Sequence, residues 1–235
     1  MKQIKKIINF IYFLFFYDRA MVGDLCQYYN LSKKDVFWLL VNGKRLNNIL
    51  WNIERPITSN DKNAFYQKTP FYVFELLAWH MLPYQKKFRE GVKNVSKGKV
   101  LDYGAGPGDL CLEIYKKGLK VDYTDVAGQT FNFAKWLFKK NNASIKMIDL
   151  LKDNITEKYD TILCIDVIEH LSNAKEIIKN FSEYLNSNGV LIVTNLNVQG
   201  STEDHPMHEK VFIEERFMQN IGFKKTDKPW MFIKE

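Results

Sequence analysis

The most chemically suggestive residues in this chain are four aspartates that each close a short apolar run, together with the histidines that follow them. Asp102 ends the run 100–101, and glycine then recurs at 104, 106 and 108. Asp125 closes 120–124, Asp149 closes 144–148 and Asp166 closes 159–165. An apolar strand that breaks into alternating glycines can turn through positive φ, and a ligand can approach its backbone with no Cβ in the way. A helix expected over 109–117 points its N-terminus at the same crevice. A carboxylate at the end of the second strand can accept both hydroxyls of a ribose, so the grouping reads as a nucleoside site. A glycine-rich turn without a ligand is the bland alternative, and the aspartates at successive strand ends weigh against it.

Spacing separates two kinds of nucleoside. The dinucleotide fingerprint counted from Gly104 and Gly106 requires glycine or alanine at 109, where this chain has Asp109. A carboxylate there would also oppose a pyrophosphate. Acidic surroundings suit a cationic ligand instead. Asp125 would serve a dehydrogenase equally well, so that residue alone supports nucleoside binding and no particular chemistry.

The pattern Asp102-x-Gly104-x-Gly106-x-Gly108, joined to Asp166-Val167-Ile168-Glu169-His170-Leu171 after the fourth strand, resembles the class I S-adenosylmethionine-dependent methyltransferases. Within them it is similar to the small-molecule group that includes quinone-biosynthesis enzymes. The resemblance covers the chain from about Lys99 onward. It implies an α/β, Rossmann-like seven-stranded sheet in the order 3-2-1-4-5-7-6 with the last strand antiparallel. It also implies S-adenosyl-L-methionine as cofactor, held by Asp102, Tyr103, Gly104, Ala105 and Gly106 of the loop, Asp125 and Val126 after the second strand, Asp149 and Leu150 after the third, and Asp166. In related enzymes an aromatic segment upstream of the loop closes over the donor, which brings in Tyr66 and Tyr72. Cation–π attraction to the sulfonium would be worth about 0.5–2 kcal/mol, against a plain packing role for the same rings.

Methyl transfer from a sulfonium is an in-line displacement. The protein must align the acceptor, exclude water and, for a hydroxyl, amine or acidic carbon, remove a proton. A histidine suits that last task. Of the four, His80 falls on the apolar side of its helix and reads as structural, while His170, His205 and His208 border the crevice mouth and are the candidate catalytic residues. The run Asp204-His205-Pro206-Met207-His208-Glu209 invites a metal reading. Pro206 prevents the helical presentation that gives metal motifs their geometry, so no metal site is expected, and a substrate-binding or merely solvated loop is preferred.

The elements that position these residues follow from hydrophobic period. Ala174, Ile177, Ile178, Phe181 and Leu185 recur at helical spacing until Asn186-Ser187-Asn188-Gly189, and 190–194 then reads as a buried strand. A helix over 213–220 and strands at 223–226 and 230–233 complete the plan, and strands alternating with helices point to a parallel sheet on their own. The domain so outlined is 97–235, with 1–96 as a basic helical cap on the substrate side. The cap holds 15 Lys/Arg against 7 Asp/Glu, whereas the remainder holds 19 against 20. All the excess positive charge therefore lies in the cap, either as an affinity for polyanions or as solvated lysine faces.

Within the cap, Lys2, Lys5 and Lys6 precede an apolar run over 7–17 that is too short to span a bilayer, which takes about 20 residues. Packing on the body or a partner subunit is the favoured reading, ahead of membrane-surface contact by residues 1–17 and of a cleaved signal. Residues 24–40 read as helix, turn and helix with Ser32 as N-cap, the second helix running over 33–42. As a helix-turn-helix it would present Lys33, Lys34, Asp35 and Trp38 rather than base-reading Arg, Asn or Gln, so nucleic acid is disfavoured as a partner. Thr69-Pro70 reads as a capped helix start, with Pro83 as the stop.

Three cysteines without a Cys-x-x-Cys pair read as reduced thiols, which together with a cytoplasmic donor points to the cytoplasm. The reading is thus a methyltransferase with a small-molecule or lipid-like acceptor. A nucleic-acid methyltransferase lacks its base-gripping Pro-Pro-Tyr string here, and a non-catalytic donor-binding regulator is the alternative of another class. A homodimer is left open.

Overall fold

The computed structural model describes residues 17–54 and 62–235. The lysine-flanked apolar run expected to pack or touch a membrane lies, apart from Tyr17, outside the described residues. Among the described residues, five helices lead into the sheet: α1 (Arg19–Tyr29), α2 (Lys33–Glu54), α3 (Lys62–Lys68), α4 (Phe71–His80) and α5 (Pro83–Val95). Then β1 (Lys99–Tyr103), α6 (Asp109–Lys116), β2 (Lys120–Asp125), α7 (Gln129–Lys140), β3 (Lys146–Asp149) and β4 (Tyr159–Cys164) alternate. A single 3₁₀ turn (Ile168–His170), α8 (Ala174–Tyr184), β5 (Leu185–Val193), β6 (Asn197–Gln199), β7 (Lys210–Phe212), α9 (Glu215–Asn220), β8 (Phe223–Lys225) and β9 (Met231–Lys234) complete the chain.

Seven strands form one sheet in the order β3-β2-β1-β4-β5-β9-β8, while β6 and β7 pair as a separate antiparallel hairpin. With that hairpin set aside, the order is the expected 3-2-1-4-5-7-6. β1 through β5 are parallel, and β9 runs antiparallel to both β5 and β8. Parallel strands buried on both faces need apolar residues at nearly every position, and four of the five residues of β1 are buried. Val100 faces one core with Leu110, Ile114 and Val121. Leu101 and Tyr103, one residue out of phase, face the other core with Ile162, Ile178 and Phe181. This alternation fixes which side of each strand end looks at the crevice.

Four local expectations change. The second helix runs on to Glu54, because Gly43 is no stop: a Cβ there would stand 3.0 Å from the Glu75 backbone nitrogen, so the glycine lets α2 lie close against α4. Thr69 does not cap α4. Its hydroxyl donates to Asn47 Oδ1 at 2.6 Å, and Asn47 donates in turn to Glu75 at 2.6 Å. Pro83 opens α5 as its first residue, where its missing N–H costs nothing. The stretch 186–189 enters β5 through a register shift opposite Tyr159 and Thr161 rather than standing as a turn before it. Ser32 does cap α2, accepting from the Asp35 amide at 3.2 Å.

Candidate functional site

The glycine loop is held by its own backbone. The Gly104 and Ala105 amides donate to the Thr124 carbonyl, both at 2.9 Å, and the Gly106 carbonyl accepts from the buried Tyr123 hydroxyl at 2.8 Å. Gly104 sits at φ 71°, and a Cβ on it would meet Val167 at 2.5 Å. The loop after β4 thus approaches the loop after β1 so closely that only glycine fits. Asp125 accepts from the Gly106 amide and from its own neighbour Val126, both at 2.7 Å. Burial pushes its carboxyl up to about 7 despite these two bonds. Asp149 accepts from the Ala127 and Leu151 amides at 3.1 Å each, and the Leu150 amide donates to the Asp125 carbonyl at 3.0 Å. The ends of β1, β2 and β3 therefore form one continuous hydrogen-bonded rim.

Two of the expected cofactor residues have side chains turned away from that rim. Asp102 is buried and accepts from the Cys111 thiol at 3.2 Å, and burial raises its carboxyl to about 6. The Tyr103 ring packs edge-on against Phe181 at 5.0 Å in the opposite core, which leaves its backbone for the loop. Asp109, the residue that breaks the dinucleotide spacing, is also turned inward. Arg89 of α5 donates to it at 2.7 Å, and His80 lies 2.9 Å away. Burial alone would raise its pKa, but Arg89 and His80 outweigh that and hold the carboxyl well below the usual carboxylate range. His80 is structural, as its place on α4 suggested, and it ties the cap to the start of α6.

The far side of the crevice is assembled from distant segments. Asp166 takes a left-handed backbone, φ 55°, which a non-glycine residue adopts only where its surroundings enforce it. Those surroundings are the Thr194 hydroxyl and the Asn195 amide on Oδ1, at 3.1 and 3.0 Å, and the Trp79 indole on Oδ2 at 3.0 Å. Three residues on, Glu169 is 2% exposed: Asn195 donates to its Oε1, while Oε2 is buried with no hydrogen-bond partner. Burial above all, with the charge of Asp166 adding to it, raises this carboxyl to about 8.

His170 lies against Tyr66 of α3, Nδ1 to hydroxyl 2.7 Å, and its ring stands edge-on to His208 at 4.8 Å. Burial first, then the neighbouring His208, lowers its pKa to about 3, so it stays neutral. His208 is lowered to about 4 by burial and then by His205, which stacks on it at 4.5 Å. His205 in turn lies 3.1 Å from Lys44 of α2 and is lowered chiefly by burial. All three candidate histidines therefore share one cluster. The ligand atoms of Glu169, His170 and His208 lie within 4.8 Å of one another, a grouping able to hold a cation that crosses two loops rather than following the 204–209 run.

The cap closes directly over these parts. A Cβ on Gly128, after β2, would meet the Gln67 backbone of α3 at 2.5 Å, and one on Gly106 would meet Leu76 of α4 at 3.0 Å. The Tyr66 and Tyr72 rings lie 4.9 Å apart, tilted at 44° to one another. Lys62 pairs with Glu209, and Asn48 donates to the carbonyls of Glu203 and Asp204, so the β6–β7 loop is strapped to α2 and α3. Sequence reasoning missed Glu169, Asn195 and this hairpin. Beyond Asn195 opens a cavity of about 470 Å³, walled by Val193, Leu196, Ile213, Met218, Trp230 and Phe232.

Comparisons with known proteins bear on the family and the fold. Residues 80–229 match the family described as methyltransferase domain. The ubiquinone biosynthesis O-methyltransferase of Rickettsia conorii (strain ATCC VR-613 / Malish 7) is 27% identical over 120 residues, which is 50% of this chain and 42% of that protein. The protein of the same name from Pelagibacter ubique (strain HTCC1062) is 31% identical over 115 residues, 47% of each chain. The match thus spans under half the length of these two curated relatives. Among solved structures, StiE O-MT residues 961–1257 superposes with a TM-score of 0.51 at 17% identity, over 74% of this chain and 60% of that one, a likeness of fold.

Proposed function

The chain belongs to the methyltransferase domain family, and on that premise we propose that it methylates an oxygen of a small, largely apolar acceptor, with S-adenosylmethionine as donor. The donor crevice fits such a compound. Two carboxylates at neighbouring strand ends, Asp125 and Asp149, stand beside a glycine loop that carries no Cβ at 104, 106 and 108. When bound, the donor supplies an activated methyl group on a positively charged sulfur. Asp125 would receive the ribose hydroxyls, Asp149 the adenine amino group, and the Tyr66 and Tyr72 rings would bound the sulfonium side.

The observation that carries the acceptor side is the buried, neutral His170 held on Tyr66 beside Glu169. When Nδ1–H donates to the Tyr66 oxygen, Nε2 carries the lone pair and can take the proton of an acceptor hydroxyl. An imidazolium formed there needs a nearby negative charge, and ionised Glu169 supplies it. The cavity past Asn195, largely apolar but edged by Asn197, Glu215 and Lys225, suits the body of a lipid-like or aromatic acceptor, being within the 300–1,000 Å³ usual for ligand pockets. Relatives named ubiquinone biosynthesis O-methyltransferase favour oxygen as the atom methylated.

The test is turnover with methyl-labelled donor against matched panels of phenols, amines and carboxylic acids, each with and without an apolar tail. Label appearing as an aryl methyl ether, preferentially on tailed phenols, is expected. Label on nitrogen or carbon, or donor binding without any turnover, would overturn the proposal.

A further inference from the structure

The outer face of α2 carries a pattern that neither the donor crevice nor the acceptor cluster uses. Lys34, Trp38, Val41, Arg45, Ile49 and Asn52 recur at the three- and four-residue steps that put side chains on one face of a helix, and all six are exposed. Trp38 is 57% exposed, Val41 47% and Ile49 46%, with Ile53 at the edge of the stripe 60% exposed. The opposite face, Val36, Leu40, Gly43, Asn47 and Trp51, is buried against the rest of the cap. A helix at a protein surface ordinarily turns charged and polar residues outward, whereas α2 is apolar on both sides.

The charges along the centre of this stripe have one sign. Lys34 and Arg45 lie on it, while of the two acidic residues of the helix Asp35 stands only at its edge, about five turns before Ile53. Asp35 is engaged with the capping Ser32 at 2.5 Å, and Glu54 falls on the other side of the helix from Arg45 by its spacing. A second copy pairing through the same face about a two-fold axis would set basic side chains against basic side chains. A surface of negative charge with an apolar layer beneath it matches both components of the stripe.

We propose that α2 docks flat on an anionic lipid surface, with Trp38, Val41, Ile49 and Ile53 entering the headgroup boundary and Lys34 and Arg45 reaching the lipid phosphates. At 22 residues α2 is about 33 Å long. None of the described helices is long and apolar enough to cross a membrane, and the contact proposed for α2 lies in the plane of the lipid surface. The basic excess of residues 1–96 adds to the same attraction. The inference goes beyond methyl transfer and stands or falls without it, since it concerns a face that does not touch the crevice.

The experiment is flotation of the full chain with phosphatidylcholine vesicles and with mixed phosphatidylcholine–phosphatidylglycerol vesicles. The chain is expected to float with the mixed vesicles, at least about tenfold less with phosphatidylcholine alone, and less again in high salt. Trp38→Glu with Ile49→Glu, and separately Lys34→Glu with Arg45→Glu, should each lower the bound fraction about tenfold while melting temperature and donor affinity stay at the parent values. An unbound parent chain would overturn the proposal. So would variants that float as well as the parent, which would move lipid contact to another part of the chain. A parent dimer in sedimentation velocity that the Trp38 and Ile49 changes dissociate would assign the stripe to a second copy instead.

Discussion

The two halves of the crevice are built on opposite plans. The half proposed for the donor, at the ends of β1, β2 and β3, comes from segments that each end in an aspartate, and its backbone amides and carboxylates satisfy one another. The half proposed for the acceptor draws Tyr66 from the cap, Glu169 and His170 from the turn after β4, Asn195 from the end of β5 and His208 from the β6–β7 loop. It keeps one buried carboxylate oxygen without a partner and shifts three histidines and a glutamate away from their ordinary pKa values. A hydrogen-bonded rim serves a constant ligand, whereas groups held off their usual protonation states are where proton chemistry is done.

Substitutions should separate the halves. His170→Ala is expected to lower kcat by about 10²–10⁴-fold, the usual worth of a general base, with donor affinity within twofold of the parent in calorimetry. Equal losses in kcat and donor binding would merge the two halves into one. Arg89→Ala leaves Asp109 buried beside His80 alone and should cost about 3–5 kcal/mol in denaturant unfolding, most of it recovered when Asp109→Asn is added. If the double variant is no better than the single, the pair is not what joins the cap to the loop.

Asp125→Asn should weaken donor binding by about 1–3 kcal/mol through loss of charged hydrogen bonds and leave the pKa values of Glu169 and His170 alone. The parent's affinity should rise from pH 6 to pH 8, because the carboxyl, raised to about 7, accepts the ribose hydroxyls best when ionised. The Asn variant should show no such rise, and an unchanged slope would assign it to another group.

The last effect concerns Glu169. Its folded pKa, about 8, lies above its ordinary 4.5, so its contribution to stability is full below pH 4.5 and is lost as pH climbs to 8. Relative to Glu169→Gln, the parent should therefore lose stability between pH 5 and pH 8, on the order of 3 kcal/mol or about 6–12 °C in Tm. Parallel Tm curves for the two proteins would mean that Glu169 is ionised throughout that range. Activity should run the opposite way, rising through pH 8 as the carboxylate forms beside His170.

The same contrast explains what could be read from sequence. The donor half was legible because each of its carboxylates follows its own apolar strand within a few residues, and strand periodicity is a local signal. The sheet order came with the family resemblance, not with periodicity. The acceptor half was legible only residue by residue. His170, His205 and His208 stood out as types, but nothing in their spacing brings Tyr66 to His170 across 104 positions. β6 and β7, three residues each, are too short to show alternation and pair across the loop between 199 and 210. Gly43 reads locally as a helix end, and only the approach of α4 reveals why α2 passes through it.

The central claim is that the glycine loop and its rim of carboxylates receive S-adenosylmethionine. Calorimetric titration of the full chain with that compound, and separately with a nicotinamide dinucleotide and a nucleoside triphosphate, tests it most directly. Saturable heat with S-adenosylmethionine and its demethylated product, and none with the two phosphate-bearing ligands, is the predicted result. Heat with either phosphate-bearing ligand and none with S-adenosylmethionine would contradict the account.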